Sequence, residues 1–154
     1  MRHLTLLLAF TLILSGVKAQ SDSTLLIKNK NFKGATASRK SYRAIFQLDS
    51  NDPKIITKTI RNINNALNDP RLEGKLQLEL IAFSGGTDAY LKQSPYEEDL
   101  AKLVRRGVIV TQCNNTLIER KIDPSEIYNF IAIVPSGVGE LIVREGDGWA
   151  VIKP

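Results

Sequence analysis

Short apolar runs alternate with segments of helical periodicity from residue 42 to the end of the chain. Each run has the length of a strand and is rich in β-branched or aromatic residues. Most positions along a run are apolar, rather than every second one, which is typical of strands whose two faces are both covered. We therefore predict a three-layer α/β domain, with a mostly parallel five-stranded sheet and helices on both faces. The predicted strands are residues 42–48, 76–83, 108–111, 128–134 and 149–152.

Residues with well-understood local roles mark the helix boundaries between these strands. Asp52 and Pro53 predict the start of the first helix, because a carboxylate caps free backbone N–H groups and proline suits the first helical position. Acidic residues precede basic ones within residues 97–106, which is the order that the helix dipole favours, and Gly107 is predicted to end that helix. A further helix is predicted after residue 137.

The first 19 residues have the features of a secretory signal peptide. Arg2 gives a positive start, residues 4–14 form an apolar run, and Val17 and Ala19 match the small or apolar positions of a cleavage site. The run is shorter than the roughly 20 apolar residues that cross a bilayer. We predict cleavage after Ala19, export to the periplasm or outside the cell, and no stable membrane insertion afterwards. An anchor that stays attached is the alternative.

Cleavage would leave a leader followed by one domain. Residues 20–41 are polar and rich in Ser, Lys, Asn and Thr, which predicts a flexible leader. Residues 42–154 are numerous enough to bury a core of their own. Loss of Arg2 and Lys18 would lower the net charge from +5 to +3, and no basic stretch is interleaved with aromatic residues. We therefore predict no nucleic-acid partner.

The residue inventory of the mature chain excludes several kinds of chemistry. His3 is the only histidine and would leave with the signal peptide, and Cys113 is the only cysteine. A Ser-His-Asp or Cys-His arrangement is then excluded within one chain, so that a hydrolase would need a Ser-Lys or carboxylate mechanism. A zinc site built from nitrogen and sulfur ligands and an internal disulfide are excluded as well. We predict neither a metal nor a cofactor.

Cys113 follows the third predicted strand and precedes a short predicted helix over residues 114–121. A helix N-terminus presents unpaired N–H groups and a partial positive charge, and both favour the reactive thiolate over the thiol. The side chains of Asn114, Asn115 and Thr116 could donate further hydrogen bonds to the sulfur. Cys113 is therefore the candidate catalytic residue. The alternative is a small buried side chain without chemistry, which is a common role for a free cysteine.

Two other loops are expected at the same edge of the sheet as Cys113. In parallel sheets, binding sites gather beyond the carboxyl ends of the strands. Backbone N–H groups in both loops could hold a small anion. Turn geometry alone is the alternative explanation for their glycines. The candidate binding residues are Ser84, Gly85 and Gly86 in one loop and Ser136 and Gly137 in the other, with Asn114, Asn115 and Thr116 beside the cysteine.

Three segments of the domain match a known pattern when they are taken together. The cysteine segment follows Gly107-Val108 and reads Val110-Thr111-Gln112-Cys113-Asn114-Asn115-Thr116-Leu117. The second segment reads Ile133-Val134-Pro135-Ser136-Gly137-Val138-Gly139-Glu140-Leu141. The third reads Gly148-Trp149-Ala150-Val151-Ile152-Lys153-Pro154. In this order and spacing, residues 42–154 resemble the DsrE/DsrF-like family. Exported members of that family often carry His-Gly-Pro where this chain has Ser84-Gly85-Gly86.

The resemblance implies a flavodoxin-like subunit that assembles with copies of itself into trimers or hexamers. It also implies a cysteine that accepts sulfane sulfur as a persulfide and passes it between a donor and an acceptor protein. By position this role falls on Cys113, so we expect a sulfur-relay protein with sulfurtransferase-like chemistry. The alternative is a non-catalytic, oligomeric module of the same fold that binds a small ligand or a partner through the strand-end loops.

Overall fold

The computed structural model describes residues 22–154. The predicted signal peptide, residues 1–19, lies outside this range. Residues 22–30, within the predicted leader, form a helix, α1, and residues up to Thr36 belong to a unit separate from Ala37–Pro154. Across the described range, no helix is both long and apolar enough to cross a membrane.

The larger unit is built on one five-stranded sheet in which every strand pair is parallel. The strand order is β4-β3-β2-β1-β5, so the first and last strands are neighbours. This confirms the predicted α/β class and the parallel sheet. The strands are β1 (Tyr42–Leu48), β2 (Leu76–Ala82), β3 (Ile109–Cys113), β4 (Ala132–Val134) and β5 (Ala150–Ile152).

The helices lie on both faces of the sheet, as the flavodoxin-like, three-layer arrangement requires. From β1 to β4 the chain moves across the sheet in one direction, and it then returns from β4 to β5. Because parallel crossovers are right-handed, this reversal places the helix between β4 and β5 on the face opposite to the helices that connect β1 to β4. The helices are α2 (Pro53–Leu67), α3 (Glu97–Arg105), α4 (Asn114–Arg120) and α5 (Gly137–Gly146), with short 3-10 segments at Ser84–Tyr90 and Pro124–Glu126.

The two faces carry cores of very different size. Under α2 and α3, a large cluster includes Leu80 of β2, Ile63 of α2 and Leu103 of α3, all of them fully buried. Under α5 the cluster is small and centres on Ile45, Ile81 and Trp149. A single helix therefore covers the second face, so the residues beneath it depend on that helix for their burial.

The predicted helix boundaries at α2 and α3 are confirmed by their caps. The Asp52 carboxylate accepts a hydrogen bond of 2.8 Å from the backbone N–H of Lys54, and Pro53 occupies the first turn. Beyond α3, Gly107 adopts a φ of +87°, a left-handed conformation that glycine reaches without strain.

The fourth strand is shorter than predicted. Only Ala132–Val134 form β4, and the prediction of a strand over residues 128–134 was wrong for its first half. Tyr128 is buried for a different reason: its N–H donates to the Tyr90 carbonyl at 3.0 Å and its hydroxyl donates to the Ser94 carbonyl at 2.6 Å. Its burial comes from loop packing, which the apolar pattern alone does not distinguish from a strand. The other strand ends differ from prediction by two residues or fewer.

Candidate functional site

Cys113 is the last residue of β3 and directly precedes α4. It pairs with Val134, the last residue of β4, so that it lies at the carboxyl edge of the sheet where the chain leaves both strands. Its side chain is only 5 % exposed. The thiol is thus placed at the expected edge, but at the bottom of the strand-end loops rather than at their surface.

Hydrogen bonds converge on the sulfur of Cys113 from two different segments. Burial raises the pKa of the Cys113 thiol, but hydrogen bonds from the backbone N–H of Gly137, from the backbone N–H and hydroxyl of Thr116, and from the backbone N–H of Asn115 lower it. The hydrogen bonds outweigh burial, and the pKa of Cys113 is lowered overall. The site therefore favours a negative charge on sulfur.

Gly137 reaches the sulfur because it has no side chain. A Cβ atom there would lie 2.8 Å from the Phe83 ring and 3.2 Å from the Cys113 Cβ. Ser136 caps the start of α5, its Oγ accepting a hydrogen bond of 3.1 Å from the Gly139 N–H. This cap fixes the first turn of α5 and directs the Gly137 N–H toward the cysteine.

Thr116 connects the cysteine to the loop after β2. Its Oγ1 accepts a hydrogen bond of 3.0 Å from the backbone N–H of Ser84 and donates to the Cys113 sulfur. Ser84 has a φ of +50°, which is uncommon for a residue with a side chain. Arg120 holds this turn from outside, donating to the Ser84 carbonyl at 2.9 Å and pairing with Asp88 at 2.5 Å.

The remaining predicted site residues lie at different distances from this centre. Gly86 packs against the end of β1, where a Cβ atom would come within 2.0 Å of the Leu48 carbonyl oxygen. Gly85 packs beside it, and a Cβ there would lie 3.1 Å from the Asn51 nitrogen. Gly86 therefore serves the contact with β1, and Gly85 serves the contact with the loop that follows β1. Asn115 contributes its backbone N–H to the sulfur while its side chain is exposed, and Asn114 is half-buried at the start of α4.

Sequence reasoning missed a buried charge on the second face of the sheet. Glu79 is 0 % exposed in the middle of β2. Its carboxylate accepts a hydrogen bond of 2.8 Å from the Thr111 hydroxyl and pairs with Arg144 of α5 through two contacts of 2.7 Å. Burial raises the pKa of Glu79 despite these partners. Glu79 is the only charged residue of β2, and this was the signal that could have revealed it.

Arg144 fixes the far end of α5 on the sheet. Besides Glu79, its guanidinium pairs with Glu140 at 2.9 Å and lies 4.3 Å from the centre of the Trp149 ring. Gly137 at the start of the same helix contacts the cysteine. The ion pair and the thiol site therefore lie at opposite ends of one short helix, whose Leu141 packs on the small core between them.

No group of three or more His, Cys, Asp or Glu side chains within residues 22–154 is arranged to hold a metal ion. The donors around Cys113 are N–H and O–H groups, which suit an anion rather than a cation. Fold and site together define a parallel α/β protein that holds one thiol among backbone amides at the carboxyl edge of its sheet.

The chain is similar in structure to MTH1491, a protein of unknown function from Methanobacterium thermoautotrophicum. The two are 31 % identical, with a TM-score of 0.70, over 74 % of this chain and 100 % of that one. The chain therefore belongs to the same family as MTH1491. A second solved structure, that of the conserved protein of unknown function BT1422 from Bacteroides thetaiotaomicron, shares the fold at 10 % identity and a TM-score of 0.61, over 79 % of this chain and 100 % of that one. Neither the protein-family models nor the curated proteins contain a match.

Proposed function

We propose that the protein is a sulfur carrier of the DsrE/DsrF-like type, in which Cys113 takes up sulfane sulfur and passes it on. The convergence of hydrogen bonds on the Cys113 sulfur carries the proposal, because it favours the thiolate needed to attack a donor. A persulfide is also an anion, so the same donors can stabilise it. The three sequence segments that resemble the family support the same function.

The transfer is a pair of substitutions at sulfur. The Cys113 thiolate attacks the outer sulfur of a donor persulfide or polysulfide, a new S–S bond forms, and the donor thiolate leaves with the electron pair of the broken S–S bond. In the second step an acceptor thiolate attacks the outer sulfur on Cys113, and the Cys113 thiolate leaves. Each step balances without an external oxidant or reductant.

The proposed context is an exported homo-oligomer, a trimer or a hexamer. The proposal that the protein is exported rests on the signal-peptide pattern of residues 1–19. The proposal that copies of the chain assemble is supported by three exposed apolar side chains of α5, namely Val138, Ile142 and Val143. An apolar surface on a helix is typical of a contact with another subunit. A second copy of this chain is the proposed occupant.

A second candidate function is a non-catalytic binding module of the same fold. The observation that favours it is the 5 % exposure of Cys113, since a thiol so well covered also fits a purely structural side chain. In that case the ligand or partner would bind the strand-end loops, and a Cys113→Ala variant would keep its binding.

The deciding experiment is intact mass spectrometry of the purified protein after incubation with polysulfide. We expect a gain of about 32 Da per chain for each sulfur atom added, reversed by a reductant. Cys113→Ser should gain nothing, and because Cys113 is the only cysteine, any gain in that variant would come from non-specific adducts. A wild-type chain that gains no mass, with a thiol that resists alkylation in the folded state, would reject the sulfur carrier and favour the binding module.

A matched variant tests the role of the pocket. Gly137→Ala would place a methyl group against Phe83 and Cys113, whereas Gly146→Ala, in the last turn of the same helix, would meet no atom within 4 Å. We expect Gly137→Ala to slow persulfide formation and Gly146→Ala to leave it unchanged. Equal rates in both variants would show that the Gly137 side of the site plays no part in the transfer.

A further inference from the structure

A cavity of about 570 Å³ opens at the edge of the sheet opposite to Cys113. It is lined by Tyr42 and Leu76, the first residues of β1 and β2, whereas Cys113 is the last residue of β3. Its volume lies within the roughly 300–1,000 Å³ of small-molecule pockets. The cavity belongs entirely to the unit formed by Ala37–Pro154 and is separate from the thiol site.

The inner wall of the cavity is apolar and belongs to the α2 side of the sheet. Ala44 and Ala150 are neighbours in β1 and β5 and share one face of the sheet. Ala66, in the last turn of α2, also lines the space. Because these three side chains are small, the strands and α2 do not fill the volume between them. Larger apolar side chains complete the wall, namely Phe46, Leu72, Leu76, Leu78 and Ile152.

The mouth of the cavity is basic. Arg39 and Lys40 are exposed and line it, and among its described lining residues there is no acidic side chain. Arg43 also contributes to the lining, but its guanidinium donates to the Asp147 carbonyl at 2.7 Å and lies 5.9 Å from the centre of the Trp149 ring. Arg39 and Lys40 are therefore the cations available to a ligand.

We propose that this cavity binds a small amphipathic anion, an apolar chain or ring that ends in a carboxylate. The apolar wall would bury the body of the ligand, and the carboxylate would remain at the mouth beside Arg39 and Lys40. Charge complementarity excludes a cationic amphiphile and distinguishes the site from a purely apolar groove. A medium-chain fatty acid has this chemistry. The site is independent of the proposed sulfur transfer.

The test uses decanoate as the probe, below its micelle concentration, with decanol and decyltrimethylammonium as neutral and cationic partners of equal chain length. We expect saturable binding of decanoate in isothermal titration, at least about tenfold tighter than binding of the cationic amphiphile. Amide chemical shifts in a two-dimensional NMR titration should change at Ala44, Leu72 and Ala150 and remain constant at Cys113.

Two pairs of variants locate the site. Ala150→Trp should abolish binding because the indole would fill the cavity, whereas Val151→Trp, on the opposite face of the same edge strand, should leave it intact. The double variant Arg39→Gln, Lys40→Gln should weaken the binding of decanoate and leave the binding of decanol unchanged. The control is the double variant Lys54→Gln, Lys58→Gln, which removes two positive charges from the exposed side of α2. It should change the binding of neither decanoate nor decanol.

Three results would overturn the proposal. The first is the absence of saturable decanoate binding by a folded wild-type protein. The second is binding that Ala150→Trp does not affect. The third is an oligomer that Ala150→Trp converts to monomers in sedimentation, which would make the cavity wall a contact between subunits instead of a ligand site.

Discussion

Replacing Arg144 by methionine would leave the Glu79 carboxylate buried without its cationic partner. Glu79 is 0 % exposed and would keep only the hydrogen bond from Thr111. Breaking a buried ion pair from one side costs about 3–5 kcal/mol. Arg144 is 23 % exposed, so water can reach part of the pair, and we expect a loss near the lower end, about 3 kcal/mol at neutral pH.

The stability lost in Arg144→Met should depend on pH, and the titration of Glu79 sets the direction of that dependence. Its folded pKa lies above the ordinary value of 4.5, so Glu79 favours the folded state at pH values below 4.5, and this contribution disappears as the pH rises through the folded pKa. Burial causes the shift, and Arg144 opposes it. In Arg144→Met the pKa of Glu79 rises further, so the variant loses more stability between pH 5 and pH 7 than the wild type does.

Urea unfolding at pH 5 and pH 7, followed by circular dichroism, measures both effects. The control is the double variant Glu79→Leu, Arg144→Met, which removes both charges and should recover most of the stability, since an apolar pair can replace a buried ion pair at little cost. A loss below about 1 kcal/mol at pH 7, or a loss equal at the two pH values, would refute the reasoning that a buried Glu79 charge depends on Arg144.

Two further predictions concern the thiol site and the packing beside it. Thr116→Val removes a hydroxyl that lowers the pKa of Cys113, so that pKa should rise and the pH–rate profile of iodoacetamide alkylation should move to higher pH. An unchanged midpoint in a folded variant would contradict the assigned hydrogen bond. Gly86→Ala would place a Cβ atom 2.0 Å from the Leu48 carbonyl oxygen and should cost more than about 3 kcal/mol or prevent folding. Gly146→Ala meets no atom within 4 Å and should be neutral or stabilising by up to about 1 kcal/mol. Urea unfolding measures both variants, and equal effects of the two changes would contradict the packing.

The parts of the fold that could be predicted from sequence are those set by neighbouring residues. β1 begins and ends where its apolar run does, and α2 begins at Pro53 because Asp52 and Pro53 act on adjacent backbone groups. The position of Cys113 between a strand and a helix was predictable for the same reason. Each of these features depends on chemistry within a few residues of the chain.

The parts that could not be predicted depend on contacts between distant segments. The sequence predicted N–H groups of the following helix and the Thr116 hydroxyl as donors to the sulfur, and both contribute. The predicted Asn114 and Asn115 side chains do not, and the donor that the sequence did not indicate is the backbone N–H of Gly137 in another helix. That contact exists because β4 pairs with β3 and delivers the start of α5 to Cys113. The burial of Glu79 has the same origin, since its partner Arg144 is distant in sequence.

The pairing of β1 with β5 sets the order in which the molecule can be completed. β1 has neighbours on both sides, but one of them, Ala150–Ile152, is synthesised only after all the other strands. Until then Ile45 and Ile81 lack the cover of Trp149. The residues of the larger core are therefore available before those that close the second face, which depends on Trp149 and β5.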